Sequence, residues 1–299
     1  MSSELIRYGM QRKSIVKRCD KGITEWLDSI EDEAVRNAAS DGVILTGGAI
    51  ASMLLGETVN DFDLYFKDKA TTLAVANYYA DKFNGANPDF DVQVQVGDDR
   101  IRFFIPSAGV AAEKGASVDE DTGGVEHAQS EDKIRFRPVF ISPNAVTLSD
   151  KVQLIVRFYG DVEEIHKNFD FTHATGSYDH ATKDLRTSVE QLESLLSRTL
   201  RYQGSLYPIA SVFRAKKFIQ RGWRVNAGQY LKMSFQINEL DLGDIEVLND
   251  QLTGVDAIYM QAFVDAVRSV PAEKMNSTYV CAVIDRIFDG SMDDQENAQ

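Results

Sequence analysis

Two aspartates one residue apart, Asp61 and Asp63, lie in the otherwise hydrophobic segment DFDLYF at residues 61–66. In a β-strand successive side chains point to opposite faces, so both carboxylates would share one face while Phe62 and its alternate neighbours enter the core. Neighbouring carboxylates repel each other by roughly 1 kcal/mol or more at a partly screened site unless a cation or ligand relieves the repulsion. The pair therefore predicts a divalent metal site.

A pair of glycines, Gly47 and Gly48, lies upstream, between the apolar run VILT and a short helix predicted over residues 49–55. A turn without side chains at the start of a helix leaves backbone N–H groups and the positive end of the helix dipole open to phosphate oxygens. The same pair is also typical of a tight strand-to-helix turn that binds no ligand. Because the loop at residues 57–60 returns the chain, the acid pair is predicted to lie beside the glycines.

A third acid would complete a site for phosphoryl or nucleotidyl transfer, in which three carboxylates hold two Mg²⁺ ions. Asp170 is one candidate, because it lies between two phenylalanines in a strand predicted over residues 168–179. Asp91 is another, because the segment DFDVQV also places acids before an alternating strand. The residues themselves leave both candidates open.

The segment from Lys183 to Arg224 is locally positive, with nine basic and three acidic residues in an acidic protein. Three of the basic residues stand at i, i+3 and i+7 of a predicted helix and form one stripe: Arg214, Lys217 and Arg221. This stripe predicts either a clamp for a triphosphate or nucleic-acid acceptor, or a solvated face paired with acids. Trp223 and Tyr207 are candidates for stacking on a base.

The surrounding elements predict an α+β fold, with a mixed sheet domain over residues 1–180 and an α-helical domain over 181–288. A helix is predicted over 149–158 from its apolar spacing. The stretch 107–132 has no periodicity and is rich in Gly, Ala, Ser and acids, so we expect a mobile insertion there. The polar tail at 289–299 is predicted to be disordered.

Composition narrows the class of protein further. The chain has 299 residues and a formal net charge of −14, which argues against general binding of duplex DNA through a basic surface. Its two cysteines are typical of a reducing compartment. Because the apolar runs are too short to span a membrane, we expect no membrane association and a cytoplasmic location, in the host cell if the chain is encoded by a bacteriophage.

Residues 43–66, VILTGGAIASMLLGETVNDFDLYF, resemble the motif of the polymerase-β-type nucleotidyltransferase superfamily. That motif is a hydrophobic strand, Gly-Gly or Gly-Ser, a short helix, and Asp-x-Asp or Asp-x-Glu on the next strand. The segment is most similar to the Gly-Gly form of tRNA nucleotidyltransferases and poly(A) polymerases. It departs from them at Ala51 and Ser52, where those enzymes carry Arg-Asp.

Two later segments, residues 150–180 and 208–224, resemble nucleotidyltransferases of bacteriophages and large DNA viruses. In those proteins an aspartate within a Phe-Asp-Phe or Phe-Asp-aliphatic strand follows a similar helix. The resemblance therefore favours Asp170 over Asp91 as the third acid.

The resemblance implies a Mg²⁺-dependent enzyme, with Mn²⁺ as an alternative ion. It would move a nucleoside monophosphate from an NTP such as ATP to RNA, a protein or a small molecule, and release pyrophosphate. The residues implied in catalysis and in binding two metal ions are Asp61, Asp63 and Asp170. Those predicted to contact the nucleotide are Thr46, Gly47, Gly48, Ser52, Arg214, Lys217 and Arg221. The alternative is a non-catalytic structural or regulatory binding protein of a bacteriophage on the same fold.

Overall fold

The computed structural model describes residues 9–97, 100–106, 110–113, 116–118, 125–127, 134–241, 247, 251, 278, 279 and 281–283. Its helices are α1 Arg12–Asp28, α2 Glu33–Gly42, α3 Gly48–Leu55, α4 Lys69–Ala86, α5 Val162–His166, α6 Val189–Ser197, α7 Pro208–Gln220 and α8 Ala227–Asn238. Its first seven strands are β1 Val43–Thr46, β2 Phe62–Phe66, β3 Gln93–Val96, β4 Ile101–Phe104, β5 Ala111–Ala112, β6 Ala116–Val118 and β7 Val125–His127. The others are β8 Pro138–Ser142, β9 Ala145–Leu148, β10 Val152–Tyr159, β11 Ser177–Asp179, β12 Asp184–Arg186, β13 Thr199–Leu200 and β14 Arg224–Val225.

One mixed sheet of eight strands organises the first part of the chain, in the order β12-β11-β1-β2-β10-β9-β8-β5. Strand β1 runs antiparallel to both β11 and β2, whereas β10 runs parallel to β2. The glycine-bearing and acid-bearing segments are therefore neighbours at the centre of the sheet. The α+β class predicted from the sequence is confirmed.

The larger hydrophobic core packs on one face of this sheet. Leu64 and Phe66 of β2 belong to it, together with Trp26 of α1 and Tyr79 of α4. The Trp26 Nε1–H donates to the Tyr79 hydroxyl at 2.9 Å, so the polar atoms of these two buried rings are paired. Burial of Leu64 and Phe66 fixes the register of β2 and turns the intervening side chains to the opposite face.

The opposite face of the sheet carries a smaller cluster. Ile44, Tyr65 and Ile165 are buried there, and Phe169 packs against them. The rings of Tyr65 and Phe169 lie 5.8 Å apart, so the segment after α5 covers one end of this face. Strand β2 carries Asp63 before Tyr65, and Asp61 directly precedes the strand.

The short helix predicted after the glycines and the strand predicted for the acid pair are confirmed. Two secondary-structure predictions later in the chain are wrong. The segment predicted as a helix over 149–158 contains the 3₁₀ turn Ser149–Lys151 and strand β10, which pairs with β2 and β9. Within the predicted strand 168–179, only Ser177–Asp179 is a strand, and Thr172–Ala174 is a 3₁₀ turn. Asp170 therefore lies in an irregular segment.

The chain divides into two compact units, Met1–Gln203 and Gly204–Gln299. This division comes later than the predicted boundary at residue 180, because β12 still pairs with β11 of the large sheet. Helices α7 and α8 belong to the second unit.

The insertion predicted over residues 107–132 is described only in part. Strand β5 pairs with β8 at the edge of the large sheet, and β6 pairs with β7 in a separate two-stranded sheet. The mobility expected of this insertion stays a prediction. The rest of the insertion and the tail at 289–299 lie outside the described residues. Among the helices that the structure describes, none is both long and apolar enough to cross a membrane.

Candidate active site

The glycine turn lies directly against the second aspartate of the acid pair. Gly47 is buried and adopts φ +119°, a conformation that L side chains rarely adopt. A Cβ atom placed on Gly47 would lie 2.8 Å from Asp63 Oδ2. Glycine at residue 47 therefore permits both the turn and the close approach of the carboxylate.

The carboxyl group of Asp63 binds its proton more tightly than an ordinary aspartate does. The alternation predicted for β2 is confirmed, since Leu64 and Phe66 are buried in the larger core and Phe62 packs against it. Burial, and to a smaller extent the negative charge of Asp61, raise the pKa of the Asp63 carboxyl to about 8. The site therefore favours a bound cation beside Asp63, as a proton or as a metal ion.

Gly48 lies at the start of α3 in a different environment from Gly47. It is exposed, and a Cβ atom placed on it would meet no atom within 4 Å. No side chain caps the start of α3, whereas Asp32 caps α2 and Asp68 caps α4. The first turn of α3 is therefore accessible to a ligand that accepts hydrogen bonds.

Thr46 precedes the glycines and lies inside the protein. Its hydroxyl donates to the Gly176 carbonyl at 2.8 Å and lies 2.7 Å from His166 Nε2. Because the single hydroxyl proton is directed to Gly176, His166 Nε2 is the donor of the second bond. Burial lowers the pKa of His166 to about 4, so the ring is neutral near pH 7. Both of these bonds are internal to the protein, and a contact of Thr46 with a nucleotide stays a prediction.

Ser52, on α3, is partly buried, and its backbone carbonyl accepts a hydrogen bond from the Glu57 N–H at 2.8 Å. The Glu57 carboxylate forms an ion pair with Arg198 at 2.7 Å. This pair ties the loop that leads into the acids to the end of α6. A role of Ser52 in nucleotide binding stays a prediction.

The side chain next to the acid pair on the neighbouring strand is an amide. In the parallel register of β10 and β2, Gln153 lies beside Asp63 and Val152 beside Phe62. Gln153 Nε2 donates to Thr147 Oγ1 of β9 at 3.3 Å. Gln153 was not predicted as a site residue because its segment was predicted as a helix, although the alternation in VQLIVRFY could have indicated the strand.

Neither acid considered as the third member is gathered with the pair. Asp170 is partly buried, and its backbone carbonyl accepts a hydrogen bond from Gln203 N–H at 2.8 Å. Asp91 is exposed and accepts a bond from Gln93. Among the described residues, no three His, Cys, Asp or Glu side chains lie close enough together to hold a metal ion. The predicted group of Asp61, Asp63 and Asp170 is therefore not assembled in this structure.

The basic stripe lies in the second compact unit. Arg214 and Lys217 on α7 are partly buried, and the Arg221 guanidinium lies 5.9 Å from the centre of the Phe218 ring. Trp223 and Tyr207 are only 5% and 8% exposed, which leaves little of either ring for stacking on a base. Roles of these cations toward a nucleotide stay predictions.

The residues around Gly47 fit one hard divalent cation. Two carboxylates and the oxygen of an amide are the donors that Mg²⁺ accepts, and Mg²⁺ usually keeps waters or binds substrate phosphates at its other positions. The raised pKa of the Asp63 carboxyl also indicates a place where added positive charge is stabilising. The described donors do not extend to the predicted pair of ions.

The fold and the site define an α+β protein with a glycine turn, a short helix and an acid pair at the centre of a mixed sheet. The profile described as "Gabija anti-defense 2 family protein" matches residues 17–198. This match spans more than half of the chain, and the chain belongs to the Gabija anti-defense 2 family.

A relative in this family is "Gabija anti-defense 2" of Bacillus phage SPbetaL7. It is 26% identical over 147 residues, which cover 48% of this chain and 35% of the relative. The chain thus matches about a third of the relative's length.

Solved structures of CCA-adding enzymes have a partial likeness to the chain. The Thermotoga maritima enzyme complexed with tRNA is 14% identical, with a TM-score of 0.40 over 82% of this chain and 54% of the enzyme. A CCA-adding enzyme in complex with ATP is 15% identical, with a TM-score of 0.43 over 91% of this chain and 60% of the enzyme. Likeness at this level carries no conclusion about activity.

Proposed function

We propose that this chain counters Gabija, as the name of its family indicates, through a Mg²⁺-dependent nucleotidyltransferase site. The site would move a nucleoside monophosphate from an NTP to an acceptor and release pyrophosphate. One observation carries the proposal: Gly47, at the start of α3, lies against Asp63 so closely that a Cβ atom would stand 2.8 Å from Oδ2. This close approach supports a phosphate site next to the site of its counter-ion.

Each residue of the site has a role in this proposal. Asp61 and Asp63 hold the Mg²⁺ ion, which when bound neutralises charge on the phosphates and the leaving pyrophosphate. The first-turn N–H groups of α3, beginning at Gly48, donate to phosphate oxygens. Thr46 and His166 hold β1 and α5 together on the face that carries the acids.

The acceptor is the part of the proposal that rests on the family name. The relative is named for its action against Gabija, so we infer that the acceptor is a component of Gabija or a molecule on which Gabija depends. Protein, RNA and small-molecule acceptors all present hydroxyl groups that could attack an α-phosphate.

Labelled nucleotides test the proposal. Each α-³²P-labelled NTP is incubated with Mg²⁺, the full chain and lysate from bacteria that carry Gabija, and the label is followed into protein, RNA and small molecules. We expect incorporation that is lost in Asp61→Asn with Asp63→Asn. The matched control is Asp89→Asn with Asp91→Asn, which changes the exposed copy of the same Asp-Phe-Asp sequence.

A second candidate is a binding protein without turnover. The side chain beside Asp63 on β10 is the uncharged amide of Gln153, which favours this reading. It predicts protection from Gabija in cells without incorporation of label from any NTP. If protection survives the change of both Asp61 and Asp63 to Asn, the acid pair is required neither for nucleotidyl transfer against Gabija nor for binding without turnover.

A further inference from the structure

Gln153 places an uncharged side chain next to Asp63 in the candidate site. Its strand runs parallel to β2 and sets it beside Asp63. Both side chains alternate with residues of the larger core, Leu64 and Leu154, and therefore lie on the opposite face of the sheet. A carboxylate at residue 153 would have brought a third negative charge to the metal. An amide oxygen can bind a metal, but it adds no charge.

The orientation of the Gln153 amide is held by a neighbouring strand. Its Nε2 donates to Thr147 Oγ1 at 3.3 Å, and Thr147 is itself only 5% exposed. This bond uses the amide nitrogen on the side of β9. Within the described part of the chain, Gln153 Oε1 accepts no hydrogen bond and stays available to a ligand.

The candidate site therefore offers fewer than three carboxylates as metal ligands. In the described part of the chain, no group of three His, Cys, Asp or Glu side chains is placed to hold a metal ion. A site with two carboxylates binds Mg²⁺ weakly by itself, because affinity for hard cations rises with the number of charged ligands. Phosphate oxygens of a nucleotide would supply the missing negative charge.

We propose that Gln153 makes metal binding depend on the nucleotide, so that the site accepts the ion as a metal–NTP complex rather than holding it beforehand. This inference rests on the proposed function, because it assumes that Asp61 and Asp63 are the metal ligands. It adds an order of binding and names the residue that sets that order.

Mn²⁺ binding to the full chain, followed by the loss of the free-ion EPR signal, tests the inference. The titration is run alone and with the α,β-methylene analogues of ATP, CTP, GTP and UTP in turn. For the parent protein we expect weak binding of Mn²⁺ alone and binding at least about tenfold tighter with a preferred analogue. In Gln153→Glu, we expect Mn²⁺ alone to bind about tenfold more tightly than to the parent.

Two further variants keep the test decisive. Gln95→Glu adds the same charge on β3, where Gln95 Oε1 accepts from Arg102, and should leave Mn²⁺ binding unchanged. Thr147→Val removes the partner that orients the amide and should weaken binding of the Mn²⁺–analogue complex, even if Gln153→Glu fails to fold.

The outcomes separate the two proposals. Tight binding of Mn²⁺ alone by the parent, or a Gln153→Glu protein that binds Mn²⁺ no better, overturns the inference about Gln153. An Asp61→Asn, Asp63→Asn protein that binds the Mn²⁺–analogue complexes as the parent does overturns the proposed function itself.

Discussion

Gln153 and Asp63 lie side by side on the parallel strands β10 and β2, so the acid pair has an amide as its neighbour in the sheet. On the other side, β1 continues into the turn where Gly47 approaches Asp63. The candidate site is thus built at the meeting of three central strands. Substitutions of its individual residues can separate roles in folding from roles in ligand binding.

Gly47→Ala should destabilise the fold. The new Cβ atom would stand 2.8 Å from Asp63 Oδ2, and alanine would have to adopt φ +119°. We expect a loss of about 1–3 kcal/mol in the free energy of unfolding, measured by urea denaturation. A variant as stable as the parent would contradict the tight packing of this turn.

Gly48→Ala is the matched control with the opposite expectation. Its Cβ atom would enter open space at the start of a helix, so stability should be equal to that of the parent or slightly higher. Binding of the Mn²⁺–nucleotide analogue complex should nevertheless weaken, because the methyl group occupies space beside the N–H groups of α3. Unchanged binding would argue against phosphate contact at this turn.

Asp63 should make the metal-free protein less stable as the pH rises. Its folded-state pKa of about 8 exceeds the ordinary value of 3.8, so the folded protein keeps a proton that the unfolded chain releases. Between about pH 4 and pH 8 this lowers the free energy of unfolding by up to about 1.4 kcal/mol per pH unit. Urea denaturation in the presence of a chelator should show this slope.

The comparison for that slope is Asp63→Asn, which has no titrating carboxyl at residue 63. The difference in stability between variant and parent should grow from pH 5 to pH 8. Parallel curves for the two proteins would mean that Asp63 titrates near its ordinary value and that the pocket does not disfavour its charge.

Thr46→Val should destabilise the protein by about 1–3 kcal/mol, because His166 Nε2–H and the Gly176 carbonyl lose their shared partner. Thr46→Ser keeps the hydroxyl and should recover most of this loss. Urea denaturation of both variants measures the effect. Equal stability of the valine and serine variants would show that the hydroxyl contributes nothing.

Asp170→Asn tests the predicted third acid directly. Because the structure does not gather Asp170 with the pair, we expect Mn²⁺–analogue binding within about threefold of the parent, whereas Asp61→Asn should weaken it by tenfold or more. An equal loss in both variants, measured by the same EPR titration, would restore Asp170 as a metal ligand.

The sequence predicted the parts of the site that are local. The glycine turn, α3 and β2 lie within residues 43–66, where turn residues and alternation are read over a few positions. Thr46 was recognised as part of this segment, but its internal bonds were not. They depend on His166 and Gly176, more than 100 residues away along the chain.

The segment of β10 was mispredicted because its apolar residues satisfy two periods. Val152, Ile155 and Val156 have helical spacing, whereas Val152, Leu154 and Val156 alternate as in a strand. Pairing with β2 and β9 decides between the two, and this long-range contact is not visible in the local pattern. Asp170 was placed on a strand because Phe169 and Phe171 alternate around it, but the segment forms a 3₁₀ turn at Thr172–Ala174 and a strand only at Ser177–Asp179.

The central claim is that Asp61 and Asp63 hold a divalent ion beside the glycine turn when a nucleotide is bound. Crystals of the full chain with Mn²⁺ and the α,β-methylene analogue that binds tightest allow the ion to be located by its anomalous scattering. The account predicts a peak in contact with both carboxylates, with the analogue's phosphates at the start of α3. A nucleotide bound elsewhere, or a peak that touches neither aspartate, would contradict it.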